Sequence, residues 1–275
     1  MSALAPYLAV FAARFQVMLQ YRAAALAGFA TQCWWGALKI MIYAAFFAGA
    51  AAGAQPISLA HAVTYTWLGQ AFLVLQPWNA DPEVAEMVRS GAVAYERVRP
   101  VDAYAWWYAR AMAWSLARVL PRAALMVVAV AAILPLAGLE RWSLRPPAGL
   151  EAGSLFVASM AAATLLSAAM TLLIDVVVVA SMTDRGANTL AMPLVGLLSG
   201  GILPLAFFPT WLHTPLRLQP FAGLVDTPFR IYFGDLAGVD ALGGIALQLA
   251  WTGVLVALGR WWLGGVMSRL QVQGG

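Results

Sequence analysis

Cysteine, lysine and histidine are nearly absent from this chain. Its one cysteine, Cys33, lies inside an apolar segment, so no intramolecular disulfide can form and the redox compartment stays open. Its one lysine, Lys39, also lies in an apolar run. No glycine-rich pattern ending in Gly-Lys-Ser/Thr occurs, which excludes an ATP-binding P-loop built by this chain. His61 and His213 are far apart and have no cysteine or carboxylate at ligand spacing, so no metal site is expected. Charge is scarce too: 10% of residues are charged, against 63% hydrophobic and a mean hydropathy of +0.79. That is more apolar surface than a soluble domain of this size can bury, and it marks an integral membrane protein. The 16 basic residues give a net charge of +4, but they are scattered over several loops without interleaved aromatics. No nucleic-acid partner is expected. No cleavable signal is expected either, because Arg14 and Arg22 fall within and after the first amphipathic stretch, so the first span serves as the insertion signal.

The long polar interruption of the N-terminal half, residues 79–102, predicts a short helix with its own start and stop. Asp81 can cap it, Pro82 suits its first position, Glu83 and Glu86 lie near its positive end, and Arg89 precedes Gly91 at the other end. Val84, Met87 and Val88 share one face at i, i+3, i+4 spacing. Such a stripe suits docking into a partner's groove, or an amphipathic helix lying on lipid.

Around it the chain predicts an all-helical membrane fold. Residues 1–22 form an interfacial helix, and apolar runs at 23–49, 59–77, 104–137, 153–182, 187–208 and 241–263 form six spans. Residues 51–58 make a short turn. Arg118 and Arg122, one turn apart, suit contact with lipid phosphate. Two short helical pieces in 209–239, about 210–218 and 227–233, are too apolar for a solvated loop and too short to span, which fits a re-entrant hairpin. Lys39 snorkels, pairs or lines a wet cavity. Asp175 either handles a solute or proton or pairs with a basic neighbour at the cytosolic end. Ser199 sits among glycines but has no helical histidine partner, and Asp175 has no second aspartate, so no catalytic group is expected and the chain is not read as an enzyme. An even number of spans puts both termini on one side. Arg14, Arg22, Arg89, Arg97, Arg99, Arg110, Arg185, Arg260 and Arg269 share that side, against Arg141, Arg145, Arg217 and Arg230 on the other, so the termini and the 79–102 loop are expected to be cytoplasmic.

This layout resembles the ABC-2 type permeases. The stretches Leu19–Gly28, Ala62–Gln70, Arg89–Pro100, Pro220–Arg230 and the closing Val272–Gly275 are similar to the viologen-exporter-type subfamily. The loop run Arg89-Ser90-Gly91-Ala92-Val93-Ala94-Tyr95 departs from the family's arginine-glycine-leucine-aspartate-like pattern. The resemblance implies the permease subunit of an exporter in the bacterial inner membrane, moving a hydrophobic or amphipathic substrate such as a drug, organic cation or lipid. The partners it implies are membrane lipid, a dimeric cytosolic ABC ATPase that holds the ATP and Mg, and a second permease, either a related chain or a second copy. It makes Glu83, Val84, Glu86, Met87, Val88 and Arg89 the coupling helix, with Val84, Met87 and Val88 in the ATPase cleft. Lys39, Gln70, Asp175, Ser199 and Gln248 are then the translocation-path candidates. The alternative is a non-transporting membrane anchor or assembly subunit of the same fold.

Overall fold

A computed structural model describes residues 4–20, 22–49 and 55–269. Among these residues the protein is all helix, with no strand. In chain order the helices are α1 (Ala5–Leu19), α2 (Arg22–Gly49), α3 (Leu59–Ala71), α4 (Pro82–Arg89), α5 (Ala103–Leu136), α6 (Leu150–Ser181), α7 (Arg185–Leu198), α8 (Thr210–Leu218), α9 (Asp226–Phe233) and α10 (Gly238–Arg269). Three of them, α5, α6 and α10, are long and apolar enough to cross a membrane. The expected turn at 51–58 is described only from Gln55 onward. The closing Val272–Gly275 stretch, Tyr21, and the side chains of Arg22 and Arg97 lie outside the described residues.

Helix α6 is the axis of the fold. Ala163, Leu166, Ala169, Leu172 and Val176 are fully buried along it. The small residues among them allow close backbone approach. Helices α10 and α5 pack on α6, α1 packs on α5, and α2 packs on α3. Polar side chains on α6 are satisfied locally: Thr164 and Thr171 donate to the carbonyls of Met160 and Ser167 at 2.8 and 2.9 Å. These bonds let hydroxyls sit in an apolar interior.

Three expected spans fall outside the group long and apolar enough to cross. Helix α2, over the expected 23–49 run, has the length at 28 residues but not the apolarity. The 59–77 run is α-helical only to Ala71 and continues as a tight 3-10 turn, Leu73–Leu75. At 1.5 Å per residue, α3 is about 20 Å long, short of a bilayer core of about 30 Å. The 187–208 run likewise stops at Leu198. Gly200 takes a left-handed φ of 87°, and the Ile202 N–H turns back to the Gly196 carbonyl at 2.9 Å. Helix α5 departs in another way, carrying a π turn at Ala129–Ile133 within its apolar length.

The 209–239 hairpin holds the expected pieces as α8 and α9, joined by a 3-10 turn at Pro220–Leu224. It packs against the N-terminal half of α6. Phe229 stands 5.0 Å from Tyr65, and Tyr232 stands 5.0 Å from Phe156, ring to ring. The Tyr232 hydroxyl donates to the Arg145 carbonyl at 2.6 Å, and the Ala148 N–H donates to the Tyr232 carbonyl at 3.0 Å.

Candidate functional site

Helix α4 forms where local chemistry dictates. The Asp81 carboxylate accepts the Glu83 N–H at 3.0 Å, Pro82 occupies the first turn, and Gly91 leaves the segment with φ 75°. The cap aspartate also reaches beyond its own helix, because Arg14 of α1 donates to it at 2.9 Å, with both side chains buried. Its backbone N–H donates to Asp175 of α6 at 2.7 Å, and the preceding Ala80 N–H donates to Asn188 of α7 at 2.9 Å. Glu83 then ties α1 to α5: it lies 3.3 Å from Arg14 and pairs with Arg110. Four helices are thus anchored to one short one.

The apolar stripe of α4 faces inward. Val84 and Val88 are 2% and 4% exposed, packed with Trp107, Leu172 and Val176 of the protein's own core. This corrects their expected role as a docking face: an apolar stripe on a two-turn helix fits any apolar surface, and the nearest one is α5 and α6. Met87 is half-buried against the same cluster. Glu83, Glu86 and Arg89 remain exposed, with Tyr95 71% exposed just beyond. Glu86 holds Arg89 at 2.8 Å, and its hydrogen bond raises the Arg89 pKa; Asp184 lies 4.0 Å from the same guanidinium.

Two further pairs close this end of the molecule. Buried Glu96 accepts the Trp107 indole N–H at 3.0 Å and pairs with Arg99 at 3.2 Å. Asp102 caps α5 by accepting the Ala105 N–H at 2.6 Å and pairs with Arg260 of α10 at 2.7 Å. Partial burial works against the charge on Asp102, yet the bonds from Arg260 and Ala105 hold its pKa below the usual carboxylate value.

The path candidates do not converge. Lys39 donates to the Gly201 carbonyl at 2.8 Å, and the Ser199 hydroxyl accepts the Gly201 N–H at 3.1 Å, so these two meet at the turn that ends α7. Gln70 is buried on α3 near Gly36 of α2, and its amide oxygen has no hydrogen-bond partner among the described residues. Asp175 belongs to the α4 network. Gln248 is a clamp: it accepts from the Ser159 hydroxyl at 2.9 Å and donates to the carbonyls of Ser159 and Gly223 at 3.1 and 2.6 Å.

The chain matches no protein-family model and no curated protein.

Several site residues escape sequence reasoning. Arg14 sits on a helix expected to lie on the membrane surface, yet it is buried under α4. Its spacing from Phe11 and Phe15 gives no hint of this. Arg122, expected at lipid phosphate, donates to the Ala24 carbonyl of α2 at 3.3 Å, and Arg118 stacks 4.2 Å over Trp114. Gly28 makes the Arg122 contact possible, since a Cβ there would lie 2.7 Å from the guanidinium carbon.

Proposed function

We propose that this chain is the transmembrane permease subunit of an ATP-driven exporter of the ABC-2 type. In this reading it has six spans in a bacterial inner membrane, with both termini and α4 in the cytoplasm. A cytosolic ATPase dimer binds and hydrolyses ATP with Mg, and a second permease, related or identical, completes the path for a hydrophobic or amphipathic substrate. The chain itself performs no covalent chemistry. One observation carries the proposal: a short helix, capped at both ends and presenting charge outward, is bonded to α1, α5, α6 and the start of α7. Force applied to α4 reaches four helices through bonded contacts, which is what coupling requires of a lever between two states. The exposed Trp34, Trp35, Met41, Ile42 and Phe46 on α2 suit a second permease as neighbour.

In this reading the exposed Glu86, Arg89 and Tyr95 meet the ATPase, rather than the buried Val84 and Val88 stripe. The test is co-purification of the tagged chain from its native membrane under mild detergent, followed by mass identification. An ATPase should accompany the wild-type chain and be lost from an E86R/R89E double variant that still inserts and melts normally. If no ATPase accompanies the wild type, the exporter reading fails. If the variant retains it, the docking surface is misassigned.

A second reading has its own observation. Gln248 and Asp175 are engaged in packing bonds, which favours a non-transporting anchor or assembly subunit. Solute movement into sealed vesicles carrying the whole complex separates the two readings.

A further inference from the structure

Between α1 and the first turns of α5 lies an open cavity of about 320 Å³, beside the α4 network. This is within the size range of small-ligand sites, roughly 300–1,000 Å³. Three arginines line it, Arg14, Arg99 and Arg110, together with Trp106 and a single carboxylate, Glu83. Its remaining wall is apolar and comes from α1, chiefly Val17 and Met18.

The hydrogen-bond capacity left over around this cavity is of one kind. The Arg14 side chain is only 7% exposed and spends Nη2 on Asp81, while its Nε and Nη1 make no hydrogen bond, Nη1 standing 3.3 Å from Glu83. The buried Trp106 indole N–H is likewise without a partner. The Arg99 guanidinium lies 5.0 Å over the Trp106 ring, at the same wall. Among the described residues the groups left with neither a hydrogen bond nor an ion pair here, Arg14 Nε and the Trp106 indole N–H, are both donors. Burying such a donor without an acceptor costs about 1–3 kcal/mol. An occupant that supplies several acceptor oxygens and negative charge would satisfy them together, and the guanidinium fork matches a phosphate group. Glu83 counts against an anion, but it is already paired with Arg110 and Arg14 and faces three guanidiniums.

We propose that this cavity binds a phosphate group, with Arg14, Arg99, Arg110 and the Trp106 indole N–H as donors. A phospholipid headgroup and free phosphate share that chemistry. The lipid would also use the apolar wall of α1, whose neighbouring Leu4 and Leu8 are exposed. The inference does not depend on the exporter reading, because it concerns only this chain and its solvent.

Native mass spectrometry of the full-length chain in detergent tests it, with titrations of phosphatidylglycerol, phosphatidylcholine and inorganic phosphate. Trp106→Phe removes the N–H and keeps a ring; Arg99→Gln is made together with Glu96→Gln, because Arg99 is the cation of that buried carboxylate, so the second variant removes a binding charge without orphaning another. Melting curves in detergent alone check that both variants remain folded. Preferential retention of phosphatidylglycerol by the wild type, falling about tenfold in each variant as for one charge-assisted hydrogen bond, supports the proposal with lipid as the source. Saturable binding of inorganic phosphate, weakened alike by both variants, supports it with free phosphate as the source. The proposal is overturned if neither probe binds, or if folded variants retain both probes as well as the wild type does.

Discussion

At the Asp175 end of α6 the neighbouring elements are held by charge: Arg14, Asp81, Glu83 and Arg110 join α1, α4 and α5 in one network. At the Phe156 end the hairpin meets α6 through packed rings and neutral hydrogen bonds, with Gln248 as the clamp, and its ion pairs, Asp226 with Arg217 and Arg230, stay within the hairpin itself. The difference bears on how each end can move. An ionic network has alternative pairings among the same groups, and binding nearby can change which pairing is favoured. Interdigitated rings have no comparable alternative, because separating them opens voids. The charged end is therefore suited to transmit a change, and the aromatic end to resist one.

Loss of one member at either end should be costly, and the two ends should differ in how they are rescued. Arg14→Ala leaves Asp81 buried without its cation, for an expected loss of about 3–5 kcal/mol. Adding Asp81→Asn should recover much of that loss, since the orphaned charge goes with it. Phe229→Ala, at a site 1% exposed, should also cost about 3–5 kcal/mol through the cavity left behind, with no second polar substitution restoring it. Thermal melts of the single and double variants in one detergent measure both. Equal rescue at both ends, or rescue at neither, would break the contrast.

The hairpin end should show a pH response from Asp226. Burial pushes the Asp226 carboxyl from 3.8 up to about 6, with Arg230 and Arg217 opposing the shift at 4.0 and 3.9 Å. A carboxyl raised in the folded state contributes stability that is complete below its unfolded value and is lost as pH rises through the folded one. Melting temperature should therefore fall between pH 4 and pH 7, by the equivalent of about 1–3 kcal/mol, and Asp226→Asn should flatten the profile. A profile that Asp226→Asn leaves unchanged would assign the response elsewhere.

Gln248→Leu should be comparable or milder, about 1–3 kcal/mol, because the Ser159 and Gly223 carbonyls lose a donor in an apolar setting. Limited proteolysis within 209–239 should speed up in that variant, since the clamp is what ties the 3-10 turn to α6 and α10. The smallest stability effect belongs to E86R/R89E, which should leave the melting temperature unchanged while abolishing capture of an ATPase. Exposed pairs of this kind contribute little to folding.

Much of the architecture was readable before the fold was in hand, most clearly α4. Its limits depend on Asp81, Pro82 and Gly91, each acting within a few residues, so spacing alone places them. The hairpin pieces were readable for the same reason: an apolar stretch too short to span has few other conformations. The early stops of α3 and α7 were less visible. Average hydropathy does not register where a backbone turns, and α7 ends at Ser199-Gly200-Gly201, ahead of Pro204, within a run whose mean stays apolar.

The division follows from the range of the forces involved. Composition determines that this chain has helices long and apolar enough to cross a membrane, and local caps and turns determine which short segments become helices, because neither depends on what lies across the fold. Which way α4 turns its Val84 and Val88 stripe, that Arg14 leaves the surface to pair with Asp81, and that unfilled donors gather at one cavity are decided only when distant segments meet. Residues 67 positions apart, Arg14 and Asp81, share a hydrogen bond that no periodicity encodes. Burial energy depends on the surface met, and that surface exists only after α1, α4, α5 and α6 have assembled.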